Sequence, residues 1–122
     1  MDQINPDPRR AAFDLTVAGV AAGLPVPERT DVGNGRFNHG ALSLFVADND
    51  RAAVDRWASW LGLPTPKLTM TPMETRQADD FPTGYFQPYE SQTRNHPATG
   101  LSVKVESYVT APAPAEPAEA IA

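Results

Sequence analysis

Two segments of the sequence end in the same way, and these endings constrain the fold more than any other feature. Gly23-Leu24-Pro25-Val26-Pro27 and Gly62-Leu63-Pro64-Thr65-Pro66 each follow a stretch with helical periodicity. Glycine readily adopts the left-handed conformation that ends a helix, the leucine after it can fold back on the last turn, and the prolines prevent continuation. The sequence therefore predicts two helices with defined C-terminal ends.

The apolar residues of both segments have the spacing of a helix face. In the first segment, which begins at Asp7-Pro8, the residues predicted to face the core are Phe13, Val17, Val20 and Leu24. In the second, which follows the capping residues Asp48-Asn49-Asp50, they are Val54, Trp57, Ala58 and Leu61. Gly19 lies inside the first helix, where it weakens the helix modestly and permits close packing.

Alternating apolar residues predict the strands. The two clearest segments are Leu42 to Ala47 and Leu101 to Glu106, and weaker candidates are Val26 to Val32, Leu68 to Pro72 and Tyr85 to Tyr89. The predicted fold class is α+β, with two helices packed on one face of a mainly antiparallel sheet in the order α-β-β-α-β-β-β. The other sheet face, which carries Phe45 and Tyr108, is expected to be partly solvated. The matching helix ends also leave open a duplicated helix-plus-hairpin unit.

The chain is expected to form one domain with a tail. Residues 1–109 contain all the predicted elements, whereas residues 110–122 read TAPAPAEPAEAIA. A Pro/Ala/Glu segment with one large apolar residue buries too little surface to offset the entropy lost on ordering. We therefore predict a single α+β domain over 1–109 and a disordered tail over 110–122.

Composition limits the chemistry available to this chain. Its 122 residues include no cysteine, 10 Lys+Arg and 15 Asp+Glu, for a formal net charge of −5. Without cysteine there are no disulfides, cysteine-based zinc sites or thiol nucleophiles. The acidic balance and the scattered basic residues argue against nucleic acid as a partner, and no apolar stretch is long enough to span a membrane. With no signal-peptide pattern at the N-terminus, we expect a cytoplasmic protein.

The layout up to Val109 resembles a group of small actinobacterial and actinophage proteins of unknown function. The features that carry this resemblance are the helix end Leu24-Pro25-Val26-Pro27, the helix end Leu61-Gly62 and the late segment Gly100-Leu101-Ser102-Val103. The resemblance covers most of the chain. It implies a shared fold and a phage or mobile-element origin, but no activity.

A second resemblance is local. The segment Leu42 to Ala52, followed by Trp60 to Pro64, is similar to the opening strand and helix of the vicinal-oxygen-chelate modules of glyoxalases and bleomycin-resistance proteins. In that family a His near the first strand and a Glu on the last strand hold a divalent metal, which would implicate His39 and Glu106 here. The resemblance thus implies a metal-dependent enzyme or small-ligand binder, completed by a homodimer.

Catalytic motifs are not evident. His39 and His96 both lie in polar, turn-forming surroundings, which favours solvated loop histidines over a general base. No serine lies in a Gly-x-Ser-x-Gly elbow. We therefore predict no catalytic residues and no cofactor.

The most unusual feature is an aromatic segment that contains two prolines. Its aromatic residues are Phe81, Tyr85, Phe86 and Tyr89. Tyrosine and phenylalanine are enriched at binding surfaces, although alternate members of the segment could simply cover the core. An exposed sheet edge at this segment would pair with another chain. The leading prediction is a non-enzymatic interaction module that binds another protein or itself through this edge, and the metal-dependent chelate module is the alternative.

Overall fold

A computed structural model describes residues 7–34, 40–75 and 79–114. In chain order the elements are α1 (Pro8–Ala21), β1 (Arg29–Asn34), β2 (Gly40–Phe45), α2 (Arg51–Leu61), β3 (Lys67–Leu68), β4 (Met73–Glu74), β5 (Tyr85–Thr93) and β6 (Ser102–Thr110). The α+β class is confirmed, and the predicted order differs only where one expected strand has become the two short strands β3 and β4. The backbone turns between them at Met70, which has a positive φ of 64°.

The strands form one mixed sheet in the order β1-β2-β6-β5-β3, with β4 also paired to β5. Strands β2 and β6 are parallel, and the other pairs in the described part of the chain are antiparallel. Strand β5 is internal, because β6 pairs with one side of it and the short strands β3 and β4 pair with the other. The prediction of an exposed edge at the aromatic segment is therefore wrong.

Both helices pack on the same face of the sheet, as predicted. Helix α2 is capped at its N-terminus by Asp50, whose side chain accepts a hydrogen bond from Ala53 N at 3.0 Å, and at its C-terminus by Gly62 in the left-handed conformation. Its buried residues form one core with those of β2, those of β6 and Leu101, which directly precedes β6. The largest members of this core are Leu42, Leu44, Val54, Trp57, Leu61, Leu101, Val103 and Val105. The apolar stripe predicted for α2 is the stripe that the fold buries.

The predicted core face of α1 is wrong in its first half. Phe13 and Val17 are 64% and 48% exposed, whereas Ala12 and Gly19 are buried. The cause is the ring of Trp57, which lies so close to Gly19 that a Cβ at that position would overlap it. This contact turns the small residues of α1 toward the core and leaves a row of larger apolar residues facing solvent.

The described structure continues past the predicted domain boundary at residue 109. Thr110 ends β6, and Ala111 is buried, with its N–H donating to the carbonyl of Tyr85 at 3.0 Å and its carbonyl accepting from Thr83 Oγ1 at 2.7 Å. Residues 115–122 of the predicted tail lie outside the described residues. Neither α1 nor α2 has the length and apolar content that a membrane span requires within the described part of the chain.

Candidate binding surfaces

An apolar groove lies between α1 and β1 on the helix-bearing face of the sheet. It has a volume of about 360 Å³ and is lined by Thr16, Val17, Val20, Ala21, Val26, Pro27 and Thr30. Val26 is 71% exposed, and Phe13 adds a further exposed ring one helical turn before Val17. Single exposed apolar residues are common, but a contiguous patch of them is typical of an interaction site. We call these residues, together with Phe13, the α1–β1 groove.

Strand β1 forms the sheet edge beside this groove. It pairs with β2 in antiparallel register from Arg29↔Phe45 to Asn34↔Gly40. No strand in the described ranges pairs with its other side. Residues 29–33 are all exposed. The strand therefore presents a row of backbone N–H and C=O groups with which an added strand could pair.

Charged side chains of β1 lie on the opposite sheet face from the groove. Arg29 and Asp31 flank Thr30, and Arg29 Nη2 is 3.6 Å from Asp31 Oδ2. The Arg29 guanidinium also lies over the ring of Phe45, 4.1 Å from its centroid. Thus Thr30 belongs to the groove, whereas its two neighbours place opposite charges on the face that carries no helix.

A second concave site lies on this helix-free face. It is a pocket of about 160 Å³, lined by Glu28, Arg29, Phe45, Val46, Asp48, Glu106 and Tyr108. Glu106 is only 4% exposed. Its Oε1 lies 3.7 Å from Lys104 Nζ, and Glu90 stands directly opposite it in the β5–β6 pair. A buried carboxyl group with a second carboxyl group as its neighbour is the main titratable feature of this site.

Burial raises the pKa of the Glu106 carboxyl from its ordinary value of 4.5 to about 7. A hydrogen bond with Glu90 raises this pKa further, while the ammonium group of Lys104 lowers it. Burial and the neighbouring Asp80 also raise the pKa of Asp48. Glu106 is therefore partly protonated at neutral pH, and its protonated form can donate a hydrogen bond to Glu90.

We expect Glu106 to make the free energy of unfolding fall as the pH rises. Between its unfolded pKa of 4.5 and its folded pKa of about 7, the folded state binds more protons than the unfolded state. The contribution of Glu106 is therefore complete below this range and is lost as the pH rises through it. Glu106→Gln should remove this part of the slope, because it keeps a neutral side chain of similar shape.

Urea unfolding at a series of pH values checks this expectation. The difference in the free energy of unfolding between wild type and Glu106→Gln should change steadily from pH 4.5 to pH 7. Glu74→Gln, at an exposed carboxyl of β4, is the control and should leave the pH dependence as in wild type. If the difference in the free energy of unfolding between wild type and Glu106→Gln does not depend on pH, the raised pKa of Glu106 is contradicted.

The four predicted binding aromatics do not form one exposed cluster. Phe81 is buried, with its ring centroid 5.4 Å from that of Phe86. Phe86 in turn lies 5.2 Å from Tyr108, in an edge-on arrangement. These three rings form a contact chain, and little of Phe81 is exposed.

The two tyrosines of the segment occupy the alternate positions of β5. Tyr89 packs against the core, its hydroxyl donates to Asp55 Oδ1 of α2 at 2.6 Å, and the guanidinium of Arg51 lies over its ring. Tyr85 is half-buried and pairs with Glu74 of β4. Strand alternation therefore separates Tyr85 and Tyr89 from Phe86, and the segment supplies packing on both faces.

The metal ligands implied by the chelate resemblance are only partly testable in the structure. His39 lies outside the described residues, whereas Glu106 lines the pocket on the helix-free face. Within the described ranges, no group of three or more His, Asp or Glu residues is arranged to hold a metal ion. The structure therefore places one of the two implied ligands in a pocket.

The expectation of a solvated histidine is wrong for His96. This side chain is buried, and its Nε2 donates to the carbonyl of Leu61 at 3.1 Å while Nδ1 lies 3.1 Å from Thr99 Oγ1. These bonds join the β5–β6 loop to the end of α2. The sequence gives no sign of the bond to Leu61, because Leu61 and His96 are 35 residues apart.

The α1–β1 groove was missed by the sequence analysis, although a signal was present. Ala12, Leu15 and Gly19 have the spacing i, i+3, i+7, which also defines a helix face. A face built on alanine and glycine permits closer packing than one built on Phe13 and Val17. Weighing this second face would have left the larger side chains exposed.

Comparisons with protein families, with characterised proteins and with solved structures found no match to this chain. The candidate surfaces therefore stand on their geometry. The two resemblances noted in the sequence remain predictions.

Proposed function

We propose that this chain is a small, non-enzymatic interaction module that binds protein through the α1–β1 groove and the outer edge of β1. The observation that carries the proposal is the exposure of Phe13, Val17 and Val26 beside an edge strand. Exposed apolar surface next to backbone groups that can still pair favours association with another chain.

The chemistry of this surface suits an added β-strand. Such a strand would pair with the backbone of β1 and extend the sheet beneath α1. Because successive side chains of a strand alternate between faces, every second residue of the added strand would point toward the groove. An apolar residue there would cover Val17 and Val26, which the chain's own packing leaves exposed.

The aromatic segment is not the binding edge in this proposal. Strand β5 is paired on both sides, and Phe81 is buried. Phe86 and Tyr108 remain half-buried, so they supply at most a secondary contact on the helix-free face. Cytoplasmic residence and a phage or mobile-element origin belong to the proposal as expectations from the sequence.

A double substitution in the groove tests the proposal. Phe13→Ser combined with Val17→Ser removes two exposed apolar side chains, so association should weaken by about tenfold or more if each contributes roughly 1 kcal/mol at the interface. The readout is chemical cross-linking of the tagged chain in its native cells, quantified by mass spectrometry.

The control for this experiment is the double variant Leu68→Ser/Met70→Ser. These side chains are also exposed and apolar but lie near the opposite sheet edge. Circular dichroism confirms that both variants fold. Equal cross-linking by wild type and the groove variant would contradict the proposal, as would equal losses in the two variants.

A second candidate function is binding of a small ligand or metal at the pocket on the helix-free face. Burial of Glu106 beside Phe45 and Tyr108 favours it. The test is metal content of the purified protein, with Glu106→Gln and His39→Ala alongside. Stoichiometric metal that both substitutions remove would support the chelate alternative, and its absence from the wild type would end the metal-dependent form.

A further inference from the structure

We propose that the strand added to β1 comes from a second copy of this chain, which pairs antiparallel with the first copy so that Thr30 faces Thr30 across a two-fold axis. This inference rests on the proposed function, because it names the occupant of the same surface. A two-fold pair of this kind joins the two sheets into one continuous sheet. It also keeps the helices of both copies on the same face.

The charges of β1 select this register. With Thr30 on the axis, Arg29 of each copy lies opposite Asp31 of the other, so two pairs of opposite charge form. Opposite charges in directly facing positions stabilise an antiparallel pair, and like charges destabilise it. An axis at Asp31 would place two carboxylates face to face, and an axis at Arg29 would do the same with two guanidinium groups. Among the axes at Arg29, Thr30 and Asp31, only the one at Thr30 brings opposite charges face to face.

The apolar groove fits the same arrangement. Thr30 and Val32 lie on the helix-bearing face, because their partners in β2 are the buried Leu44 and Leu42. Pairing about Thr30 places Val32 of each copy opposite Glu28 of the other, one residue from Pro27 and two from Val26 of the groove. An exposed valine of one copy would therefore lie beside the apolar residues at one end of the other copy's groove.

Charge reversal tests the register. Asp31→Arg places a second positive charge opposite Arg29, so the dissociation constant of the dimer should rise about tenfold. Because this substitution also moves the net charge of −5 toward zero, non-specific association would strengthen instead. The double variant Arg29→Asp/Asp31→Arg restores both pairs and should recover most of the affinity. Sedimentation equilibrium measures the dissociation constants of wild type, Asp31→Arg and the double variant.

The control with the same change of charge is Glu74→Arg, on β4 at the other side of the sheet. It should dimerise at least as well as wild type. If Asp31→Arg dimerises as well as wild type, or if the double variant stays as weak as Asp31→Arg, the proposed register is overturned.

The absence of cysteine allows a second, independent test. Thr30→Cys brings two thiols face to face, so a short bis-thiosulfonate reagent should link the copies efficiently. In Val32→Cys the two thiols would lie about 14 Å apart, because they are offset by four residues of roughly 3.4 Å each. Efficient linkage of Val32→Cys but not of Thr30→Cys would overturn the pairing about Thr30.

The failure of this inference can be told apart from failure of the proposed function. If the chain is monomeric at 100 µM but its Phe13→Ser/Val17→Ser variant loses a cross-linked partner, the second copy is not the occupant. The α1–β1 groove would then still be a binding surface. If the chain is monomeric and its Phe13→Ser/Val17→Ser variant cross-links to partners as well as wild type does, both the dimer and the proposed binding surface are refuted.

Discussion

Replacing Trp57 by alanine should lower the free energy of unfolding by about 3–5 kcal/mol, the usual cost of deleting a large buried side chain. Trp57 is fully buried, its ring lies against Gly19 of α1, and its Nε1 donates to the carbonyl of Pro25 at 2.8 Å. It therefore holds together α2, α1 and the Gly-Leu-Pro-Val-Pro segment. Since domains of this size have only about 5–15 kcal/mol of stability, the substitution should remove a large fraction of the total.

Urea unfolding followed by far-ultraviolet circular dichroism measures this effect. Trp60→Ala is the matched control, because Trp60 lies on the same helix but is 40% exposed, with its ring 6.0 Å from that of Trp57. It should cost about 1 kcal/mol or less. If Trp57→Ala and Trp60→Ala lower the free energy of unfolding by similar amounts, Trp57 is not the centre of the core.

Gly19→Ala should destabilise the protein by about 1–3 kcal/mol, although alanine is the better helix former by roughly 1 kcal/mol. The added Cβ would overlap Cη2 and Cζ3 of Trp57, so α1 would have to move away from α2. The sign of the effect is therefore opposite to the one that helix propensity gives.

Thermal or urea unfolding distinguishes the two signs directly. Gly33→Ala in β1 is the control, because a Cβ at that position meets no atom within 4 Å, and its effect should stay within about 0.5 kcal/mol. A stabilised Gly19→Ala protein would mean that α1 does not pack on Trp57, and the exposure of Phe13 and Val17 would then lose its explanation.

Local sequence patterns predicted α2 well because all of its signals agree. The apolar stripe, the Asp50 cap and the left-handed Gly62 indicate the same helix and the same buried face. In α1 they conflict, since Phe13 and Val17 define one face and Ala12, Leu15 and Gly19 another. The contact between Gly19 and Trp57 decides between them, and a contact between two helices is not visible in the pattern of either one.

The sheet edges were harder to predict for the same reason. Strand β5 is covered by β3 and β4, each two residues long, and so short a strand leaves little alternation in the sequence. The fold class followed from the sequence, but the identity of the edge depends on these two pairings. Because the exposed sheet edge is β1 and not β5, the proposed binding surface is the α1–β1 groove and not the aromatic segment.

The helix-free pocket shows a similar limit. Alternation in β6 correctly places Glu106 on the face away from the helices, where a carboxylate would ordinarily be solvated. Its burial arises from the surrounding residues Arg29, Phe45 and Tyr108, which come from three different strands. Only the pairing of β5 with β6 brings Glu90 opposite Glu106, where its hydrogen bond adds to the rise in the pKa of Glu106 that burial causes.

Dilution of the isotopically labelled protein, followed residue by residue in amide NMR spectra, tests the central claim most directly. The account predicts concentration-dependent shifts at Phe13, Val17, Thr30 and Val32, and constant shifts at Tyr85 and Phe86. Shifts that move at β5 while those of β1 stay constant, or unchanged spectra between about 10 µM and 1 mM from a protein that sediments as a monomer, would contradict self-association through the α1–β1 groove.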